Sequence, residues 1–191
     1  MKIIGITGGM GSGKSVISKL LSIRGIPVYD TDSAAKRLND TSALIRKKLS
    51  EKLGDELYAE GRLNRPLLAS FIFQNPENLQ FVNSVVHPEV NTDFLEWKSQ
   101  QTAEIIAIES ALLFESKLNR MVDVTVNVSA PMEIKIERIE KRNQWGREEI
   151  IARINNQISD DERNRLADFT IINDNRHSLL LQIEKLLKMI A

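Results

Sequence analysis

Residues 8–15 read Gly-Gly-Met-Gly-Ser-Gly-Lys-Ser, which is G-x-x-x-x-G-K-[ST]. This segment lies between an apolar run over residues 2–7 and a stretch over 15–24 that places Val16, Ile17, Leu20 and Leu21 at helical spacing. Few folds accommodate a strand, a glycine loop and a helix in that order. Glycines at 8, 11 and 13 let the backbone curl so that N–H groups along Met10, Gly11, Ser12 and Gly13 point at phosphate oxygens, and the following helix aims its positive dipole end at the same anion. Lys14 then bridges the β- and γ-phosphates of a nucleoside triphosphate, and Ser15 holds Mg²⁺. A dinucleotide fingerprint starting at Gly9 and Gly11 would need glycine where Lys14 stands, so that reading fails.

The rest of the chain predicts an α/β domain with a parallel sheet. Strand candidates lie at 2–7, 26–29, 104–113, at Val124, Val126 and Val128, and at 169–172, with helices between them. From about 41 to 102 the pattern is helical only, too long for a simple crossover, and reads as an inserted subdomain. Asn64 before Arg65-Pro66, and Asn75 before Pro76, are helix-start signals, and His87-Pro88 reads as a third. The whole of 1–191 reads as one domain with this insert and, at about 142–165, an Arg-rich lid. At 191 residues with 42% apolar and 27% charged side chains, a packed core is expected and disorder is not. The 26 basic residues balance 26 acidic ones, which gives no electrostatic reason to expect nucleic acid or a membrane surface. No apolar run spans a bilayer and no secretory signal opens the chain, so a cytoplasmic location is expected. No obligate protein partner is evident. Without cysteine, thiol chemistry and cysteine-ligated metals are excluded, and two histidines are too few for a histidine metal cage.

The loop specifies a nucleotide, not a reaction. Neither N-K-x-D nor D-x-x-G of GTPases is present, nor L-S-G-G-Q of transport ATPases, which leaves a small-molecule kinase as the best fit and an ATP-hydrolysing switch as the poorer one. Asp30 and Asp32 end the second strand on the sheet rim where ligands bind. Either carboxylate would orient an acceptor hydroxyl and take its proton, with Asp32 the stronger candidate and Asp30 equally suited to capping the next helix. Arg138 and Arg142 lie one turn apart before Asn143-Gln144-Trp145-Gly146, as lid arginines addressing phosphates would. His87 reads first as a capping or packing residue and Trp97 and Trp145 first as packing residues, and the sequence alone leaves all three undecided.

These features together resemble the dephospho-CoA kinase family over nearly the whole chain. The resemblance is carried by GITGGMGSGKS, GIPVYDTDSAAKRL, Leu63-Asn64-Arg65, His87-Pro88, LLFE at 112–115, Asp123, Arg138, Arg142, Arg153-Ile154 with Gln157, and Ala167-Asp168 leading to Asn173. It implies a P-loop NTPase fold like that of nucleoside monophosphate kinases: a five-stranded parallel sheet, a helical CoA-binding insert and a lid. It also implies transfer of the γ-phosphate of ATP to the 3′-hydroxyl of dephospho-CoA, with Mg²⁺. Asp32 matches the base, Lys14 and Ser15 the phosphate and Mg²⁺ contacts, and Arg142 the lid arginine. Arg138 and Asn173 match nucleotide-side positions, and Asp30, Arg65, His87 and Glu115 acceptor-side ones. Three positions depart from the family pattern: Ala111 for proline, Lys135 for glutamine and Arg163 for lysine.

Overall fold

The structure is a computed structural model that describes residues 1–59, 61–143 and 145–190. It divides into two compact units, one of residues 1–29 and 101–191, the other of residues 30–100.

The first unit is built on a five-stranded sheet. Its strands are β1 (Lys2–Thr7), β2 (Val28–Asp30), β5 (Ile105–Glu109), β6 (Val124–Ser129) and β7 (Phe169–Ile172), in the order β2-β5-β1-β6-β7. β1 runs parallel to both β5 and β6, and β6 parallel to β7. Central β1 is buried at five successive positions after Lys2, because a parallel strand has helices over both faces and needs no polar alternation. Ile4, Ile6, Val126, Val128 and Ile171 form one core cluster with Ile17 and Leu21 of α1 (Lys14–Ile23) and with Ile183, Leu186 and Ile190 of α9 (Leu179–Ile190). Full burial of each such side chain contributes about 1.5–3 kcal/mol. A smaller cluster of Ile136, Ile139, Ile150 and Ile154 joins α6 (Met132–Asn143) to α7 (Arg147–Asn155), and α8 (Asp160–Leu166) follows. The apolar run over 104–113 predicts a longer strand than forms: β5 stops at Glu109 and LLFE lies in the turns beyond it.

Asp168 ties β6 to β7. Its carboxylate accepts from the Thr125 N–H at 2.8 Å and the Thr125 hydroxyl at 2.7 Å, which lowers its pKa below the ordinary carboxylate value. A carboxyl depressed in the folded state stabilises fully above its unfolded pKa, and that contribution disappears as pH falls through the folded value. Asp168→Asn is therefore expected to lower the thermal midpoint at pH 7 by about 2–4 °C, the effect of roughly 1 kcal/mol in a chain of this size. The difference from the parent should shrink below about pH 4. Melting curves of both proteins at pH 7 and at acid pH check this, and a constant difference would contradict it.

The second unit is helical: α2 (Thr31–Thr41), α3 (Ala43–Leu53), α4 (Arg65–Gln74) and α5 (Pro76–Ser99). Helices α2, α3 and α4 all pack on α5. This unit begins at Asp30, earlier than the insert expected from about residue 41, because α2 packs on α5. Its starts follow local chemistry. The side chains of Ser42, Asn64 and Asn75 accept from the N–H groups of Ile45, Leu67 and Glu77. Two expectations are corrected. A hairpin of β3 (Tyr58–Ala59) and β4 (Arg62–Leu63) interrupts a stretch that showed no strand pattern, since two-residue strands are too short to alternate. And His87-Pro88 starts no helix: α5 runs through it. Pro88 removes one N–H and leaves the Ser84 carbonyl without its helical donor, but Ser84 is exposed to water, so the break costs little enough for a well-packed helix to continue.

Candidate active site

The glycine loop closes as its residue types require. Gly11 and Gly13 have φ of 77° and 95°, in the left-handed region that side chains avoid. A Cβ on Gly11 would lie 2.7 Å from the Lys135 carbonyl oxygen, and one on Gly13 would collide with the Asn173 amide. Gly13 caps α1, whose first N–H groups face the loop. The Lys14 ammonium donates to the carbonyls of Gly8 at 2.9 Å and Gly9 at 3.4 Å, which holds it over the first half of the loop. Ser15 is exposed in the first turn of α1. Among the described residues no three potential His, Asp or Glu ligands gather, so a Mg²⁺ ion would rely on the Ser15 hydroxyl together with phosphate oxygens and water, the way this ion is commonly held in kinases. Ser15 fits that role.

The back of the loop is gripped by residues far away in sequence. Arg138 donates to the Gly11 carbonyl at 3.4 Å and the Ser12 carbonyl at 3.2 Å, and also to the Asn173 carbonyl and side chain and to the Asn175 side chain. Asn173 is buried and donates to the Ser12 carbonyl at 2.8 Å. Arg138 thus braces loop carbonyls, while Arg142, one turn on, is exposed and donates to the Asn143 side chain at 2.7 Å. The two arginines do not act alike, although their spacing suggested that they would. The Met10 N–H, expected to face phosphate, donates instead to Gln157 at 2.9 Å, from the turn between α7 and α8. Gln144, in the expected lid loop, lies outside the described residues. Trp145 packs beside the isoleucine cluster with the Arg153 guanidinium 4.2 Å above its ring, which settles it as a packing residue here.

Of the two aspartates, Asp30 is the cap. Its carboxylate accepts from the N–H groups of Asp32 (2.9 Å) and Ser33 (3.2 Å) and from the Ser33 hydroxyl (2.6 Å). Asp32 stands exposed in the first turn of α2, and among the described residues its carboxylate takes no hydrogen bond or ion pair. Arg65 is bound within its own unit, to Asp40 at 2.7 Å and the Lys36 carbonyl at 3.2 Å. The Leu63 N–H and then Arg65 hold the Asp40 carboxyl below its usual range. His87 is half-buried mid-helix in α5, and burial lowers its pKa, which favours the neutral imidazole. Glu115 is exposed in the turns after β5.

One charged cluster belongs to no motif. Lys135, buried on α6, pairs with Asp160 at 2.5 Å, and Arg163, buried on α8, lies beside the same carboxylate. Burial pulls the Arg163 pKa down, while the charges of Glu115 and then Asp160 push it back up. Lys135 and Arg163 are two of the three departures from the family pattern, which was the available signal; their shared carboxylate was not visible in the spacing.

A parallel sheet whose central strand feeds a glycine loop with its lysine and serine, backed by an arginine and an asparagine, defines a P-loop kinase domain. The dephospho-CoA kinase family model matches residues 2–178. Dephospho-CoA kinases of Bacteroides fragilis and Porphyromonas gingivalis are 43% and 41% identical, over 96% and 100% of this chain and 90% and 95% of theirs. A crystal structure from Thermus thermophilus superposes with a TM-score of 0.84 at 35% identity, over 99% of this chain and 95% of that one. The dephospho-CoA kinase of Campylobacter jejuni gives 0.69 at 25%, over 100% and 98%. Shikimate kinase of Acinetobacter baumannii, at 0.55 and 19% identity, shares the fold. The chain belongs to the dephospho-CoA kinase family. Among the described residues no helix is long and apolar enough to cross a membrane.

Proposed function

We propose that this protein transfers the γ-phosphoryl group of ATP to the 3′-hydroxyl of the ribose of dephospho-CoA, giving CoA and ADP in the last step of CoA biosynthesis. The observation that carries this reading is identity above 40% to dephospho-CoA kinases along nearly the full chain.

In this reading the loop N–H groups and Lys14 hold the β- and γ-phosphates in line with the acceptor. Arg138 and Asn173 keep the loop curled by fixing its carbonyls from behind. Ser15 is the side-chain ligand for Mg²⁺, which when bound neutralises phosphate charge. Asp32 accepts the proton of the ribose 3′-hydroxyl as its oxygen bonds to the γ-phosphorus and the bond to the β–γ bridging oxygen breaks, releasing ADP. The exposed carboxylate of Asp32, free of competing donors, suits that task, whereas Asp30 is occupied as a cap. Arg142, exposed at the end of α6, serves as the lid arginine toward the transferring phosphoryl, with the segment at about 142–165 as the lid. Arg65, His87 and Glu115 are assigned to the acceptor in this reading, and Arg65 is paired with Asp40 at 2.7 Å.

Coupled ADP release with MgATP and dephospho-CoA, with product mass, tests the assignment. ADP formation that requires dephospho-CoA, and a product heavier by one phosphoryl group, are expected. ADP formed equally without acceptor, or only with a nucleoside monophosphate, would overturn it.

A further inference from the structure

The peptide joining Gly9 to Met10 is held at both of its polar edges. Its carbonyl, on Gly9, accepts from the Lys14 ammonium at 3.4 Å and from the Ser12 N–H at 3.2 Å. Its N–H, on Met10, donates to Gln157 Oε1 at 2.9 Å. This peptide is trans, hence planar, with its C=O and N–H pointing to opposite sides, so an acceptor that fixes the N–H also sets the direction of the carbonyl. Gln157 thereby orients a carbonyl that receives the Lys14 ammonium, beside that of Gly8 at 2.9 Å.

Packing outside the loop places the acceptor. Gln157 sits in the turn between α7 and α8, its own N–H donates to the Ile154 carbonyl at 3.1 Å, and Ile154 is buried in the isoleucine cluster that joins α6 to α7. The Met10 side chain packs against the same cluster, so the backbone and the side chain of one loop residue are anchored to one body. The turn also lies close on Gly9, where a Cβ would stand 3.3 Å from an Asp160 oxygen and 3.7 Å from Gln157 Oε1. Arg138 and Asn173 take carbonyls in the second half of the loop, at Gly11 and Ser12, whereas Gln157 takes an N–H in the first half. We infer that Gln157 is a positioning residue for Lys14: by fixing the Gly9–Met10 peptide from outside the loop, it aims the Gly9 carbonyl at the ammonium and holds the lysine where it meets the triphosphate. Gln157 acts through that peptide and not by touching phosphate. This rests on the loop's binding ATP and not on the identity of the acceptor.

A double-mutant cycle on nucleotide affinity tests it: titration calorimetry of the full chain with Mg²⁺ and a non-hydrolysable ATP analogue, for the parent, Gln157→Met, Lys14→Ala and the double variant. Methionine keeps the length of the side chain and removes its oxygen. With Lys14 present, Gln157→Met should weaken the analogue by about five- to tenfold, the effect of losing one partly buried hydrogen bond. In the Lys14→Ala background the same change should cost less than about twofold, because the group that Gln157 positions is gone. A residue that only supports the fold would give equal fold losses in the two backgrounds, and that result overturns the proposal. So does an unchanged affinity when Lys14 is present. If Gln157→Met does not fold, Gln157→Ala is read through the same cycle, and failure of both to fold assigns Gln157 to structure and overturns the proposal. Dephospho-CoA enters none of these measurements, so the acceptor assignment fails or stands separately.

Discussion

Asp32→Asn is expected to lower turnover by about 10²–10⁴-fold, the usual contribution of a positioned general base. ATP binding and folding should be unchanged. The substitution keeps the size and the first-turn position of the side chain on α2, where asparagine is tolerated, and the cap on Asp30 does not depend on the Asp32 carboxylate. What is lost is the group that takes the hydroxyl proton. The effect should therefore fall on kcat, with KM for ATP moving little. Steady-state kinetics with both substrates check this, and full turnover in the variant would remove Asp32 from the base role. Asp30→Asn offers an internal contrast: an asparagine still caps a helix well, so only a small loss of stability is expected.

Lys14→Ala is expected to reduce transfer by about 10²–10³-fold or more, as removal of a group that stabilises charge in the transition state does. Unlike Asp32→Asn it should also weaken nucleotide binding, because the ammonium meets the β- and γ-phosphates in the ground state as well. The loop itself should survive. Its curl rests on Gly11 and Gly13 and on the Arg138 and Asn173 contacts to its carbonyls, with the Lys14 bonds to Gly8 and Gly9 added to these. Nucleotide titration and kcat measured together separate the two variants, and an unchanged rate would discredit the loop assignment.

Signals confined to a few residues determine local structure directly. The strand, loop and helix at 2–24, and the caps at Asn64 and Asn75, follow from chemistry confined to one or two turns of chain. The same signals misled where context overrode them. His87-Pro88 resembles a helix start, but α5 continues because Val82, Val85, Val86 and Val90 are buried on both sides of the proline. The β3–β4 hairpin, whose two-residue strands are too short to alternate, is held from outside, by Asp40 accepting from the Leu63 N–H and Arg46 donating to the Gly61 carbonyl.

From the amino-acid order alone came the nucleotide loop, the strands and most helices of the fold, and the residue types that phosphoryl transfer needs. These are encoded by spacing over a handful of positions, which backbone geometry converts directly into N–H groups, faces and caps. Which polar side chains are committed elsewhere was decided only by tertiary structure. Arg65 belongs to Asp40, Arg138 grips the Gly11 and Ser12 carbonyls, Asn173 donates to the Ser12 carbonyl, and Gln157 takes the Met10 N–H. Most of these partners lie far apart in the chain, by 127 positions for Arg138 and Gly11, 147 for Met10 and Gln157 and 161 for Asn173 and Ser12. No periodicity reaches across such distances. A polar group's role depends on which partner the packed chain brings within hydrogen-bonding range, and Arg163, left with two buried donors, is known only from that packing.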